Sequence, residues 1–247
     1  RLRGDEVRFV TGTDENSQKN VEAAEKAGQK DIQAYLDDMS ADWRQTWTDL
    51  GITFDDFIRT TEDRHKKGVE KFWNAVYEKG DIYEGEYEGL YCTGCEAFYK
   101  ETDLVDGSCP VHKKPATKLK EKNWFFRLTK YRPALLAHID AHPEFIRPVS
   151  RRNEVRSYVD KFMEDISISR ETVRWGIPVP NDPKSVIYVW FDALLNYMTA
   201  VGYGTDDAMF SKWWPADLHL VGKDIIKFHC ALWPAMLMSA GLPLPTQ

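Results

Sequence analysis

Three of the chain's four cysteines and one of its six histidines fall in two short pairs, Cys92-Thr-Gly-Cys95 and Cys109-Pro-Val-His112, with thirteen residues between them. Two residues inside each pair and a short intervening loop let three thiolates and an imidazole close on one tetrahedral ion, the coordination that zinc takes. Four protein ligands leave no open position. The spacing therefore predicts a structural staple for a small, loop-rich subdomain rather than a hydrolytic centre, and chemistry on a substrate must be sought elsewhere.

Two other places carry groups that can meet a ligand. Asp14 lies in the small polar turn 11–15, just after the apolar run 7–10. If that run ends a buried strand, Asp14 stands at the carboxyl edge where open α/β sheets bind ligands, as a contact for a cationic group. The plainer alternative is that Asp14 or Asn16 caps the helix expected from Gln18 to Ala27. Near the other end, residues 218–221 read as a strand turned by Gly222. Glycine there lets backbone approach a ligand, Lys223 can meet a phosphate, and Asp224 opens a helix expected to run through Ala240. Ile225, His229 and Trp233 share one stripe of that helix at i, i+4 and i+8. A histidine on an apolar stripe is most often a satisfied core residue, and Trp190 and Trp233 are most often core.

The positioning elements follow from periodicity. Apolar residues predict helices over 31–50, with a break near Ser40, and over 60–80, where Val69, Phe72, Trp73 and Val76 make one face and Gly80 the stop. His65 is expected to be partly exposed and idle. Residues 81–123 lose the helical period. Residues 131–139 predict a helix with Pro133 in its first turn, residues 155–162 another helical face, and residues 166–169 a half-buried strand. Residues 186–190 read as a buried strand, with Asp192 as N-cap of a helix over 193–201. The pattern is α/β: a Rossmann-like parallel sheet interrupted by a metal-stapled insertion, divided 1–80, 81–184 and 185–247.

Bulk composition narrows the function classes. With 43% apolar and 29% charged residues in 247, the chain can bury one large core or a core plus a small module. No apolar run reaches eighteen residues and the first residues are charged, so neither membrane span nor signal peptide is expected. Clustered reduced thiols fit a cytoplasmic location. The net charge of -6 disfavours a broad phosphate-binding surface. No Gly-x-Gly-x-x-Gly follows the first run and no Gly-Lys-Ser/Thr loop occurs, which disfavours nicotinamide and P-loop enzymes.

Several spaced segments taken together point further. Phe9-Val-Thr-Gly-Thr-Asp-Glu15, Asp56-Phe-Ile-Arg-Thr-Thr-Glu62 with His65, Tyr87-Glu-Gly-Leu-Tyr-Cys92, Ser167-Ile-Ser-Arg170 and Trp175-Gly-Ile-Pro178 resemble the catalytic region of methionyl-tRNA synthetases. Tyr188-Val-Trp-Phe-Asp-Ala193 with Tyr197, and Val221-Gly-Lys-Asp-Ile225 with Phe228-His229 and Trp233-Pro-Ala235, extend the resemblance nearly end to end, closest to the bacterial and organellar type. It implies a class I enzyme that joins methionine and ATP, with Mg2+, as methionyl-adenylate and passes the acyl group to tRNA(Met). It also implies a zinc-bearing connective peptide as the insertion. The methionine pocket would comprise Trp190, Ala193, Tyr197, Ile225, His229 and Trp233, with Asp14 near the amino group and Arg170 near the carboxylate. Gly222, Lys223 and Asp224 would lie on the nucleotide side.

Departures accompany the resemblance. Gly12-Thr-Asp-Glu-Asn-Ser17 stands where the family usually has Gly-Thr-Asp-Glu-His-Gly, so the local loop geometry is expected to differ. The HIGH and KMSKS signatures are absent from these residues, so the chain is expected to be an internal fragment that is inactive alone. Synthetases for leucine, isoleucine or valine carry a larger insertion than fits here, and the cysteine enzyme needs an open metal position. The rival from another class is a zinc-stapled nucleic-acid-binding module without catalysis. The type of metal in the cell and the oligomeric state stay open.

Overall fold

A computed structural model describes residues 2–92, 97–99 and 101–247. The chain opens with two parallel strands, β1 (Val10–Thr13) and β2 (Asp56–Arg59), in register from Val10 opposite Asp56 to Thr13 opposite Arg59. Parallel strands need a long crossover, supplied here by α1 (Gln18–Lys26) and α2 (Ile32–Asp49). A Cβ on Gly12 would sit 1.9 Å from the Ile58 carbonyl oxygen, so only glycine fits that strand. β1 therefore takes in residues expected to turn, while Val7 and Phe9 stay exposed. Apolar character misplaced the strand because the buried partners Phe57 and Ile58 set the ladder, three residues further along.

Caps also differ from expectation. Ser17 caps α1, accepting from the Lys19 amide, so neither Asp14 nor Asn16 does so. Asp31 caps α2, which runs unbroken through a buried Ser40. α3 (Asp63–Glu78) begins after Glu62 and buries Val69, Phe72, Trp73 and Val76 completely.

Between the outer segments, β3 (Ile82–Cys92) and β5 (Thr117–Phe126) pair as a long antiparallel ribbon, from Ile82 opposite Phe126 to Tyr91 opposite Thr117. β4 (Ala97–Tyr99) flanks β3, and β6 (Ile166–Ser167) flanks β5. Glycines 85 and 89 interrupt the side-chain alternation, which is why this ribbon read as loop. Helices α4 (Arg132–Ala141) and α5 (Val149–Lys161) follow, then a three-stranded antiparallel sheet of β7 (Ser169–Arg170), β8 (Pro178–Val179) and β9 (Asp182–Ile187) with β9 central.

The last segment departs most from expectation. Run 186–190 is divided between β9, which is antiparallel, and α6 (Val189–Ala193), so Trp190 is helical. Asp192 lies inside α6 rather than capping a helix, and α7 (Asn196–Thr199) and α8 (Asp207–Trp213) come next. Residues 218–221 form no strand: His219 donates its amide to the Gln247 carbonyl, and Leu218 and Leu220 are exposed. A β-rich run becomes a strand only where a neighbour supplies its ladder, and among the described residues none does. The single helix expected from Asp224 is a 3-10 turn (Lys223–Ile225), a π turn (Phe228–Leu232) and α9 (Trp233–Ala240).

One core joins all three segments. The Trp73 ring meets Trp124 and Phe191 edge-on at 6.5 and 5.9 Å, Phe126 packs on Phe191 at 5.7 Å, and Leu135, Val155 and Leu237 close round them.

Candidate functional site

The turn after β1 presents two adjacent carboxylates to opposite sides. Glu15 points inward, 2% exposed, and receives Arg59 through Nε at 2.8 Å and the hydroxyls of Thr13 and Thr61. Its carbonyl holds the Trp175 indole N–H at 2.9 Å. Asp14 faces out, on the exposed side of the turn. Asn16 is buried at 5% and donates from Nδ2 to the Thr60 carbonyl at 3.1 Å and to Asp192 Oδ2 at 2.8 Å. Asp192 Oδ1 meets His65 Nε2 at 2.8 Å, and His65 Nδ1 meets the Thr199 hydroxyl at 2.9 Å. His65 and Asp192 are wholly buried, so the partly exposed, idle His65 expected from helical spacing is corrected. Spacing failed there because α3 packs against α7 on that side.

A cluster of rings forms around His229. Its Nδ1 lies 3.1 Å from the Ile225 carbonyl, which can only accept, so Nδ1 carries the proton. Nε2 is then an acceptor, filled by the Tyr197 hydroxyl at 2.7 Å. Burial holds the His229 pKa down, against a smaller opposing effect of the Ile225 bond, so the ring stays neutral. Burial pushes the Tyr197 phenol up to about 12, and the Asp14 charge pushes the same way. Trp190 stands edge-on to His229 at 6.2 Å and stacks on Phe228 at 4.1 Å, while Tyr197 lies 6.2 Å from a fully buried Trp233. Ala193 is buried in α6, three residues past Trp190.

His219 belongs to this cluster and was missed. Its ring packs on Tyr197 at 4.2 Å, and its Nε2 accepts the Trp233 indole N–H at 3.2 Å. Burial, then the neighbouring His229, brings its pKa down to about 4. His219 and His229 also line a cavity of about 410 Å³ behind the rings, with Phe145, Leu218, Val221 and Cys230. Cys230 is no nucleophile, since burial raises its thiol to about 12.

The remaining expected residues sit on other elements or at the chain's surface. Arg170 is buried on β7, its guanidinium bonded to Ser167 and Ser169 and 4.3 Å above the Tyr188 ring. It shares a void of about 10 Å³, room for one water, with Asn16 and Val189. Gly222, Lys223 and Asp224 are exposed, and the latter two border an open cavity of about 360 Å³ with Arg151, Glu154 and Lys227.

At the ribbon's far end Cys92 Sγ and Cys109 Sγ each lie 3.9 Å from His112 Nδ1, and the three ligand atoms fall within 4.8 Å of one another. Donors on a tetrahedral zinc stand about 3.5–3.8 Å apart, so this set needs little movement to fit. The His112 amide points at Cys109 Sγ at 3.4 Å, and Lys113 turns with φ 52° to return its amide to the Cys109 carbonyl at 2.8 Å. Cys95 lies outside the described residues.

The family described as tRNA synthetases class I (M) matches residues 1–118 and 99–247, and the α/β architecture is that of the class I synthetases. The methionine--tRNA ligase of Thermotoga maritima is 49% identical over 99% of this chain and 39% of its own length. That of Streptomyces coelicolor is 51% identical over 99% and 47%. The solved structure of Mycobacterium tuberculosis methionyl-tRNA synthetase bound by methionyl-adenylate matches with TM-score 0.94 and 45% identity, over 100% of this chain and 50% of that one. Its apo form matches with TM-score 0.82 and 38% identity, over 97% and 55%. The chain belongs to the methionyl-tRNA synthetase family and spans half or less of the length of the curated relatives it matches. No described helix is long and apolar enough to cross a membrane.

Proposed function

We propose that this chain supplies the amino-acid pocket of a methionine--tRNA ligase, which activates methionine with ATP as methionyl-adenylate and transfers it to tRNA(Met). The observation that carries the reading is the neutral His229 held between Ile225 and Tyr197 inside a ring of Trp190, Tyr197 and Trp233, with the Asp14 charge acting on the phenol. A thioether is flexible and polarisable, and each sulfur–aromatic contact contributes about 0.3–1.5 kcal/mol. The rings provide such contacts, and Ala193 leaves the width an unbranched chain needs. The phenol–imidazole pair is a weakly polar wall that a purely aliphatic side chain satisfies less well. Asp14 receives the ammonium, and Arg170 the carboxylate. Gly222, Lys223 and Asp224 border the nucleotide, whose phosphates bring Mg2+.

Zinc is assigned to Cys92, Cys95, Cys109 and His112, where it clamps the ribbon end and takes no part in the reaction. Segments 1–80 and 185–247 form the catalytic halves, and 81–184 the connective peptide between them.

Thermal unfolding with and without methionine tests the reading. Methionine at a hundred times its dissociation constant adds about 2.7 kcal/mol. At about 2–4 °C per kcal/mol for a chain of this size, that raises Tm by about 5–10 °C. Alanine and leucine at equal concentration leave Tm unchanged. Because these residues hold neither phosphate signature, the 247-residue chain binds methionine without catalysing ATP–pyrophosphate exchange. No methionine-dependent shift, or RNA binding without one, would favour a binding module instead.

A further inference from the structure

Asp192 is a carboxylate with no exposure, set in α6 between Trp190 and Ala193. Removing such a charge from water costs several kcal/mol unless donors surround it, and an apolar residue of similar volume would pack there more cheaply. Its two oxygens instead take donors from two distant segments, Asn16 in the β1 turn and His65 in α3. Asn16 cannot reverse its amide. Its Nδ2 serves the Thr60 carbonyl and Asp192 together, and both accept only, so turning Oδ1 inward would oppose oxygen to oxygen. His65 is fixed as well. The carboxylate requires a proton on Nε2, and Nδ1 meets the hydroxyl of Thr199, itself next to α6 on α7.

We infer that Asn16, Asp192 and His65 are positioning residues that lock the turn bearing Asp14 to the helix bearing Trp190 and Ala193, and that recognition of the methionine ammonium depends on this lock. The inference rests on the methionine reading above. Asp14 gets its direction from a turn only two residues from Asn16, whereas the rings come from α6 and beyond. The Asn16–Asp192 bond is a direct tie between the two. If it is cut, Asp14 and the rings can each keep their own shape while their separation drifts. A drift of about 1 Å costs on the order of a hundredfold in a fitted site.

The test uses Asn16→Ala in the intact protein that contains this chain, with methionine-dependent ATP–pyrophosphate exchange as the assay. Ser239→Ala is the control, since it removes an equally buried hydrogen bond, to Asp81, away from the pocket. Asn16→Ala is expected to raise the methionine KM tenfold or more while the ATP KM stays within twofold. Asn16→His, which can again offer an N–H to Asp192, restores at least part of the loss. At matched loss of Tm, Ser239→Ala moves neither KM. An unchanged methionine KM in Asn16→Ala, or equal changes in both KM values, overturns the inference and leaves the methionine reading standing. Absence of methionine-dependent exchange in the unaltered intact protein overturns both.

Discussion

Acid should loosen the ring cluster through His219, and the size of the effect follows from its surroundings. Unfolded, its imidazole titrates at the ordinary 6.5; folded, burial and His229 bring it down to about 4. A depressed histidine pKa means the unfolded chain takes the proton first. The stabilisation is therefore complete above about pH 6.5 and drains away as pH falls towards 4. Over the full span the shift corresponds to about 3 kcal/mol, and between pH 7.5 and 4.5 to about 2–3 kcal/mol. The local cause is specific: a proton on Nε2 would face the Trp233 indole N–H at 3.2 Å, replacing a bond by two opposed donors. Urea unfolding of the unaltered chain and of His219→Gln, followed across this range, measures the effect. Glutamine keeps an acceptor for Trp233 but does not titrate. Carboxylates and His229 titrate in both proteins and largely cancel in the difference. The unaltered chain is expected to lose about 2–3 kcal/mol more than the variant by pH 4.5. Parallel stability curves would refute the reasoning, as would an imidazole titrating near 6.5 by NMR.

Other outcomes follow from neighbouring features. Tyr197→Phe leaves the buried Nε2 of His229 without its donor, which costs about 1–3 kcal/mol; thermal unfolding should show a lower Tm and a smaller methionine increment. Chelation, or Cys109→Ser, should release one metal ion per chain by elemental analysis. It should also expose the ribbon end to proteases while the tryptophan fluorescence of the core persists, because the sulfurs lie far along the ribbon from Trp73 and Trp124. Gly68→Ala places a Cβ 2.3 Å from the Thr199 methyl, and Thr199 is held by His65. Urea unfolding should show a loss of about 1–3 kcal/mol.

The parts of the molecule legible in its sequence are those set by local chemistry. The ligand spacing brought Cys92, Cys109 and His112 together, and helical periodicity found the face of α3 that carries Phe72 and Trp73. Pro133 correctly opened α4. The failures share a cause in partners distant along the chain. Val186 and Ile187 were read as part of a strand and are one, but Val189 and Trp190 turn into α6 because β9 pairs antiparallel with its neighbours and ends at Ile187. Buried polar residues were the least visible. No pattern around His65, Asn16 or Asp192 marks them as mutual partners, since the bonds cross 127 and 176 residues. His219 carried one faint signal, a lone imidazole between two leucines, but nothing nearby pointed to the Trp233 indole.

Proline shapes the ring cluster as much as any aromatic side chain does. Pro234 has no N–H to give the Cys230 carbonyl, so the helix entering it cannot close in the ordinary register. The Trp233 amide instead reaches back five residues to the Phe228 carbonyl, and a π turn results, a form frequent at functional sites. This wider turn contains Phe228 and His229, the two side chains that meet Trp190, one face-on and one edge-on. Trp233 follows at the turn's end, bonded to His219. A regular helix would complete its own ladder whatever stood opposite. The π turn gives up part of that independence, and the lost regularity is offset by contacts from α6 and α7, through Trp190 and Tyr197. The π turn and the two short helices are therefore specified jointly, and the ring cluster exists only where the two segments are packed together.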